Sequence, residues 1–149
     1  MKLETWIALG SIGLSAMFVT ILFSFYNFLI SQGADPSNII DPASLLVQEV
    51  SISAAPAVIL AGVVFAMSRT TGNKPAGLLL IASGAIMLAG MIASSSLLPN
   101  IHRQYLEGGG VSAVPYIFMA AGAGMIGIGA YLTVVSKKSR YAGNLDDLR

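Results

Sequence analysis

Four side chains of this sequence belong to types that could bind a metal ion or move a proton. They are the carboxylate of Glu49, the single histidine, His102, and the methionine pair Met87 and Met91. Residues four apart lie on one face of a helix, and thioethers are soft ligands that suit Cu(I).

Each of these residues also has a structural explanation, which we favour. Glu49 lies near the start of a predicted helix, where the helix dipole favours a hydrated carboxylate. One histidine cannot supply both axial ligands of a haem within one chain, and His102 is expected at the surface beside lipid headgroups. The Met-x-x-x-Met pair resembles the methionine pair of copper-uptake channels, although the next span offers only Ala120-x-x-x-Gly124. Such methionines more often fill irregular gaps in a core. We therefore expect no catalytic residue, no cofactor and no enzymatic activity in this chain itself.

The elements that must position these residues are membrane-spanning helices. The chain has 149 residues, of which 55% are hydrophobic and only 10% are charged. A soluble domain has about 25% charged residues, and a small chain cannot bury so much apolar surface in its own core. The absence of cysteine excludes disulfides and Fe–S ligation by cysteine. A net charge of +1 does not indicate nucleic-acid binding, which needs a strongly basic surface.

Long windows without charged residues predict four spans, since a span needs about 20 apolar residues. Asp41 and Pro42 are typical of an N-cap followed by proline at the first helical position. Proline inside a helix removes a hydrogen bond, so Pro56 predicts a kink. The approximate spans are residues 5–31, 42–68, 75–98 and 113–136, followed by a cytoplasmic tail at 137–149.

The sequence therefore predicts an all-α fold, a four-helix bundle that forms one membrane domain over residues 1–149. Basic residues favour the cytoplasmic side, so their distribution places both termini there in a multi-pass protein of the cell membrane. Trp6, Tyr26 and Tyr116 are expected to anchor the helix ends at the headgroups. The predicted cytoplasmic side has seven of the eight basic residues: Lys2, Arg69, Lys74, Lys137, Lys138, Arg140 and Arg149.

Small residues at helical spacing indicate where the helices pack, because helices in lipid associate through close backbone approach. The fourth helix carries small residues on nearly all sides. This pattern fits either contact with other chains or the general frequency of glycine in membrane helices. The first helix is rich in phenylalanine and is expected on the outside of the bundle. The predicted packing residues are Ala57, Ala61, Ala85, Ala89, Ala93, Ala120, Gly124 and Gly127.

The middle of every predicted span is free of charged residues. Proton pumps, charge-coupled exchangers and voltage sensors depend on such residues, so these functions are not favoured. We expect instead a non-catalytic, structural subunit of a larger membrane complex. Its partners would be other integral membrane subunits and lipid, with no nucleic acid and no soluble small-molecule substrate.

Two alternatives from other classes remain open. The first is a small homo-oligomeric channel or carrier, which needs polar side chains around an axis. Its lining would come from Ser83, Ser94, Ser95 and Ser96. The second is a quinone- or haem-anchoring subunit of a respiratory complex, with its site near His102 or Tyr105.

One stretch also carries a resemblance to known proteins. The residues Thr70-Thr71-Gly72-Asn73-Lys74-Pro75, followed by the apolar run 76–92, resemble small membrane proteins of ammonia-oxidising archaea. Among these, the chain looks most like a helical accessory subunit of the archaeal ammonia monooxygenase, a copper membrane enzyme whose metal ligands belong to other subunits. The resemblance lies in the general composition and the layout of the chain, without a diagnostic motif, so it assigns no functional residue. It implies a structural role beside a copper monooxygenase.

Overall fold

The computed structural model describes residues 2–32, 41–70, 72–107 and 110–146, with side chains as far as residue 136, and this part contains helices and turns but no strand. Four of its helical stretches are long and apolar enough to cross a membrane: Leu3–Ser31, Pro42–Ser68, Lys74–Asn100 and Val114–Ser136. The chain is therefore an all-α four-helix bundle, as predicted. The helices are α1 (Leu3–Ser31), α2 (Pro42–Glu49), α3 (Ala55–Ser68), α4 (Lys74–Ser95), α5 (Arg103–Glu107) and α6 (Val114–Asp146).

Two spans begin with a side-chain cap followed by a proline. The Asp41 carboxylate accepts a hydrogen bond from the Ala43 N–H at 3.1 Å, which confirms the predicted N-cap of α2. Asn73 caps α4 in the same way and accepts from the Ala76 N–H at 3.2 Å. Such caps satisfy N–H groups that have no partner within the helix.

The second span changes its helical pitch just before Pro56. A π-helical segment, Val50–Ala54, joins α2 to α3, and the Ala55 N–H donates to the Val50 carbonyl. The ring of a helical proline clashes with the carbonyl four residues earlier, here that of Ile52. The wider π turn contains this carbonyl, so the winding of the helix changes directly before Pro56. The kink expected at Pro56 stays a prediction.

Helices α1 and α4 form the middle of the bundle. Helix α1 packs against α3 and α4, and α4 packs against α1 and α6. The expected outer position of α1 is therefore wrong, and Phe18 is fully buried with its ring edge-on to Phe118 at 4.7 Å. Small residues on α4 leave room for bulky ones on α1, as where Val19 packs against Gly90.

Direct contacts fix the relative directions of the helices. Ser11 of α1 contacts Ser83 of α4, and Val19 further along α1 contacts Gly90, so α1 and α4 run parallel. Lys2, Arg69 and Lys74 thus mark one end of the bundle, the basic end.

The three expected interface anchors differ in their positions. Trp6 and Tyr116 are exposed on the outside of the bundle. Tyr26 is fully buried, and its hydroxyl donates to the Val111 carbonyl at 2.8 Å. A buried tyrosine hydroxyl needs such a partner, so the expectation of a headgroup anchor is wrong for Tyr26.

Candidate functional site

The interface between α4 and α6 is built on glycines that bring the two backbones together. Gly77 faces Gly129, and Gly84 faces Gly122, in antiparallel register. A Cβ atom at Gly84 would lie 2.5 Å from the Gly122 carbonyl oxygen, and one at Gly129 would lie 2.5 Å from that of Gly77. Neither position has room for a larger residue without a shift of the helices.

This arrangement turns most of the predicted packing residues outward. Ala57 and Ala61 are buried in the bundle. The other six are exposed, and the faces of α4 and α6 that meet carry the glycine pairs instead. A role in packing against other chains therefore stays a prediction for Ala85, Ala89, Ala93, Ala120, Gly124 and Gly127.

These six exposed residues form two stripes, together called here the small-residue surface. Ala120 and Gly124 lie two positions before and after Gly122, which is about 200° round the helix, so the stripe on α6 is turned away from α4. The stripe on α4 begins at Ala85, about 100° from the Gly84 face that meets α6 and on the other side from Ser83, which contacts α1. The small-residue surface thus consists of two outward helix faces.

Three buried serines connect the first three spans near their middle. The hydroxyl of Ser11 donates to the Ala57 carbonyl at 3.0 Å, and that of Ser83 donates to the Ser11 carbonyl at 3.1 Å. Ser15 lies 2.8 Å from the Ser83 oxygen. With Ser15 as donor, every hydroxyl in the cluster donates a hydrogen bond. The cluster is therefore a buried hydrogen-bond network that joins α1, α3 and α4, with no hydroxyl left without a partner.

Glu49 is buried within the second span, directly before the π-helical segment. It is 7% exposed, and neither carboxylate oxygen has a hydrogen-bond partner among the described residues. The expectation of a hydrated carboxylate is therefore wrong. Glu49 lines a cavity of about 240 Å³ between α1 and the second span, together with Ile21, Phe25, Leu45, Gln48 and Ile52.

The other candidate ligands are not brought together with Glu49. His102 is exposed on the turn before α5. Met87 and Met91 are fully buried side chains of the hydrophobic core. The described residues contain no group of three His, Cys, Asp or Glu side chains that could hold a metal ion. The structure thus places these candidates in three separate environments.

Sequence reasoning missed the glycine pairs and the serine cluster, although both leave a signal. Two consecutive spans each have glycines seven apart, at Gly77 and Gly84 and at Gly122 and Gly129. Seven residues are close to two helical turns, so each pair lies on one face. On α1, Ser11 and Ser15 are four apart and share a face in the same way.

Comparisons with protein-family models, with curated protein sequences and with solved structures found no match to this chain.

Proposed function

We propose that this chain is a non-catalytic accessory subunit of a multi-subunit integral membrane complex, and that partner helices pack on its small-residue surface. One observation carries the proposal. A Cβ atom added at Gly124 or Gly127 would meet nothing within 4 Å, so these glycines pack against none of the described residues of other helices.

The physical argument rests on what outward glycines can do in lipid. A glycine inside a helix costs backbone entropy, and lipid tails gain nothing from contact with bare backbone. Another helix does gain, because a smooth surface allows close van der Waals approach. On the inner face of α6, Gly122 and Gly129 already work in this way against α4. The outer face repeats the same chemistry towards a partner.

The serines offered for a channel lining do not favour that alternative. Ser95 and Ser96 donate to carbonyls of their own helix, at 2.7 and 2.6 Å. Ser83 belongs to the buried serine cluster. Three of the four hydroxyls are therefore engaged with the chain itself, and Ser94 is fully buried with no hydrogen-bond partner among the described residues. An accessory role requires no polar path and fits this arrangement better.

The resemblance at residues 70–92 gives the first complex to test, the archaeal ammonia monooxygenase. In such an assembly, the copper chemistry would belong to other subunits. This chain would supply membrane surface that orients them.

Native electrophoresis of mildly solubilised membranes, with mass spectrometry of the band that holds this chain, tests the proposal. We expect larger membrane subunits in that band at fixed stoichiometry. The double variant Gly124→Leu and Gly127→Leu should release the chain. A matched control is Ala66→Leu, because Ala66 is an exposed small residue of α3, on a helix without either stripe. A chain that migrates alone or only with its own copies would contradict the proposal.

A further inference from the structure

Glu49 is a charged side chain in a place where charge is costly. It is the single charged residue of the span Pro42–Ser68, seven residues after its start, which is about 10 Å along the helix at 1.5 Å per residue. Ionisable groups inside a membrane normally pair with one another or face a polar path. Neither carboxylate oxygen has a partner among the described residues of this chain. The described residues therefore leave room for a group from elsewhere to pair with it.

The cavity beside Glu49 indicates the chemistry of that group. Four of its lining residues, Ile21, Phe25, Leu45 and Ile52, are apolar, and Gln48 adds an amide next to the carboxylate. Ile21, Leu45 and Ile52 are exposed on the outside of the bundle, so the cavity opens towards the membrane. A lipid tail would match these walls but would leave the carboxylate without a partner.

A metal ion does not match the cavity well. Hard cations need about six oxygen ligands, and the lining offers only the carboxylate of Glu49 and the amide of Gln48. An arginine or lysine side chain fits each part of the site. Its methylene stem packs against the apolar walls, its charge pairs with Glu49, and the Phe25 ring can face the cation.

We infer that this cavity receives an arginine or lysine side chain from a transmembrane helix of a partner subunit. The inference rests on the proposed function and names a second contact of the same assembly. The basic residue of the partner is satisfied only when it reaches Glu49, so the ion pair fixes the depth and rotation of the partner helix. The small-residue surface supplies close packing, and this cavity supplies specificity.

The inference is tested by photo-crosslinking in native membranes. A benzophenone amino acid is placed at Ile52, which lines the cavity, or at Ile92, which lies beside the small-residue surface; both are exposed. From Ile52 we expect a cross-linked partner peptide that contains arginine or lysine within an apolar segment. Glu49→Gln keeps the shape and removes the charge, and should lower this cross-link at least roughly tenfold. Glu107→Gln removes an exposed carboxylate and should leave it unchanged.

The possible results separate this inference from the proposed function. This inference alone fails if Ile92 yields a protein cross-link while Ile52 yields only lipid. It also fails alone if the peptide cross-linked to Ile52 contains no basic residue. An undiminished Ile52 cross-link in Glu49→Gln would overturn it as well. If neither position yields a protein cross-link, both the inference and the proposed function fail.

Discussion

Gly84 of α4 faces the backbone of Gly122 of α6 so closely that the carbonyl oxygen of Gly122 occupies the space of a side chain. A Cβ atom on Gly84 would lie 2.5 Å from that oxygen and 2.8 Å from the Ile126 side chain. The fourth span is therefore held by backbone contact, and the opposite face of α6 is left free for other contacts.

Gly84→Ala should destabilise the chain by about 1–3 kcal/mol, because the added methyl group forces α4 and α6 apart. Thermal unfolding of the purified chain in mild detergent measures the effect. Gly127→Ala is the matched control, since its new methyl group meets no other atom of the described chain. Equal midpoints for the two variants would show that the helices do not pack at Gly84.

Ser83→Ala should lower the stability by about 1–2 kcal/mol, because it removes a hydroxyl that joins Ser11 and Ser15 to α4. Ser95→Ala is the comparison, as the Ser95 hydroxyl bonds only within its own helix. Denaturation in detergent distinguishes the two. A larger loss for Ser95→Ala would refute the role of the cluster.

Tyr26→Phe should loosen the turn before α6 while leaving the rest of the bundle intact. The hydroxyl of Tyr26 donates to the Val111 carbonyl, and its loss leaves a buried acceptor without a partner, at a cost of about 1–3 kcal/mol. Hydrogen exchange should become faster at residues 110–113. Tyr116→Phe, at an exposed tyrosine, should leave this exchange unchanged.

Asn73→Ala should weaken the start of α4 by about 1 kcal/mol through loss of its N-cap. The same change removes the hydrogen bond from the Asn73 amide to the Glu4 carboxylate, at 3.2 Å, which ties α4 to α1. Glu4→Gln keeps the cap and removes only the charge of that acceptor, so it should cost less. A lower unfolding midpoint for Glu4→Gln than for Asn73→Ala would contradict this account.

The four spans could be predicted from the sequence, because charge-free windows and capping residues depend only on neighbouring positions in the chain. Asp41 and Pro42 define the start of α2 through contacts within a few residues. Such signals need no knowledge of the neighbouring helices.

The rotation of each helix could not be predicted in the same way. Small residues occur around nearly the whole of α6, so composition does not show which face meets α4. The closest backbone approach decides it, and this depends on Gly77, Gly84, Gly122 and Gly129 together. The burial of Glu49 was missed for a related reason, since its depth follows from the packing of α1 against the second span.

The π-helical segment Val50–Ala54 has a consequence for how the second span can change. A π turn contains about one residue more than an α turn, so removal of one residue there would restore regular winding and leave the faces of α2 and α3 nearly in phase. Glu49 would then still face its cavity after a single-residue deletion at Ser51. The same deletion within the regular winding of α3 would instead rotate the parts on either side of it by about 100° relative to each other. The π turn is therefore a place where this span can lose a residue and keep the direction of its one carboxylate.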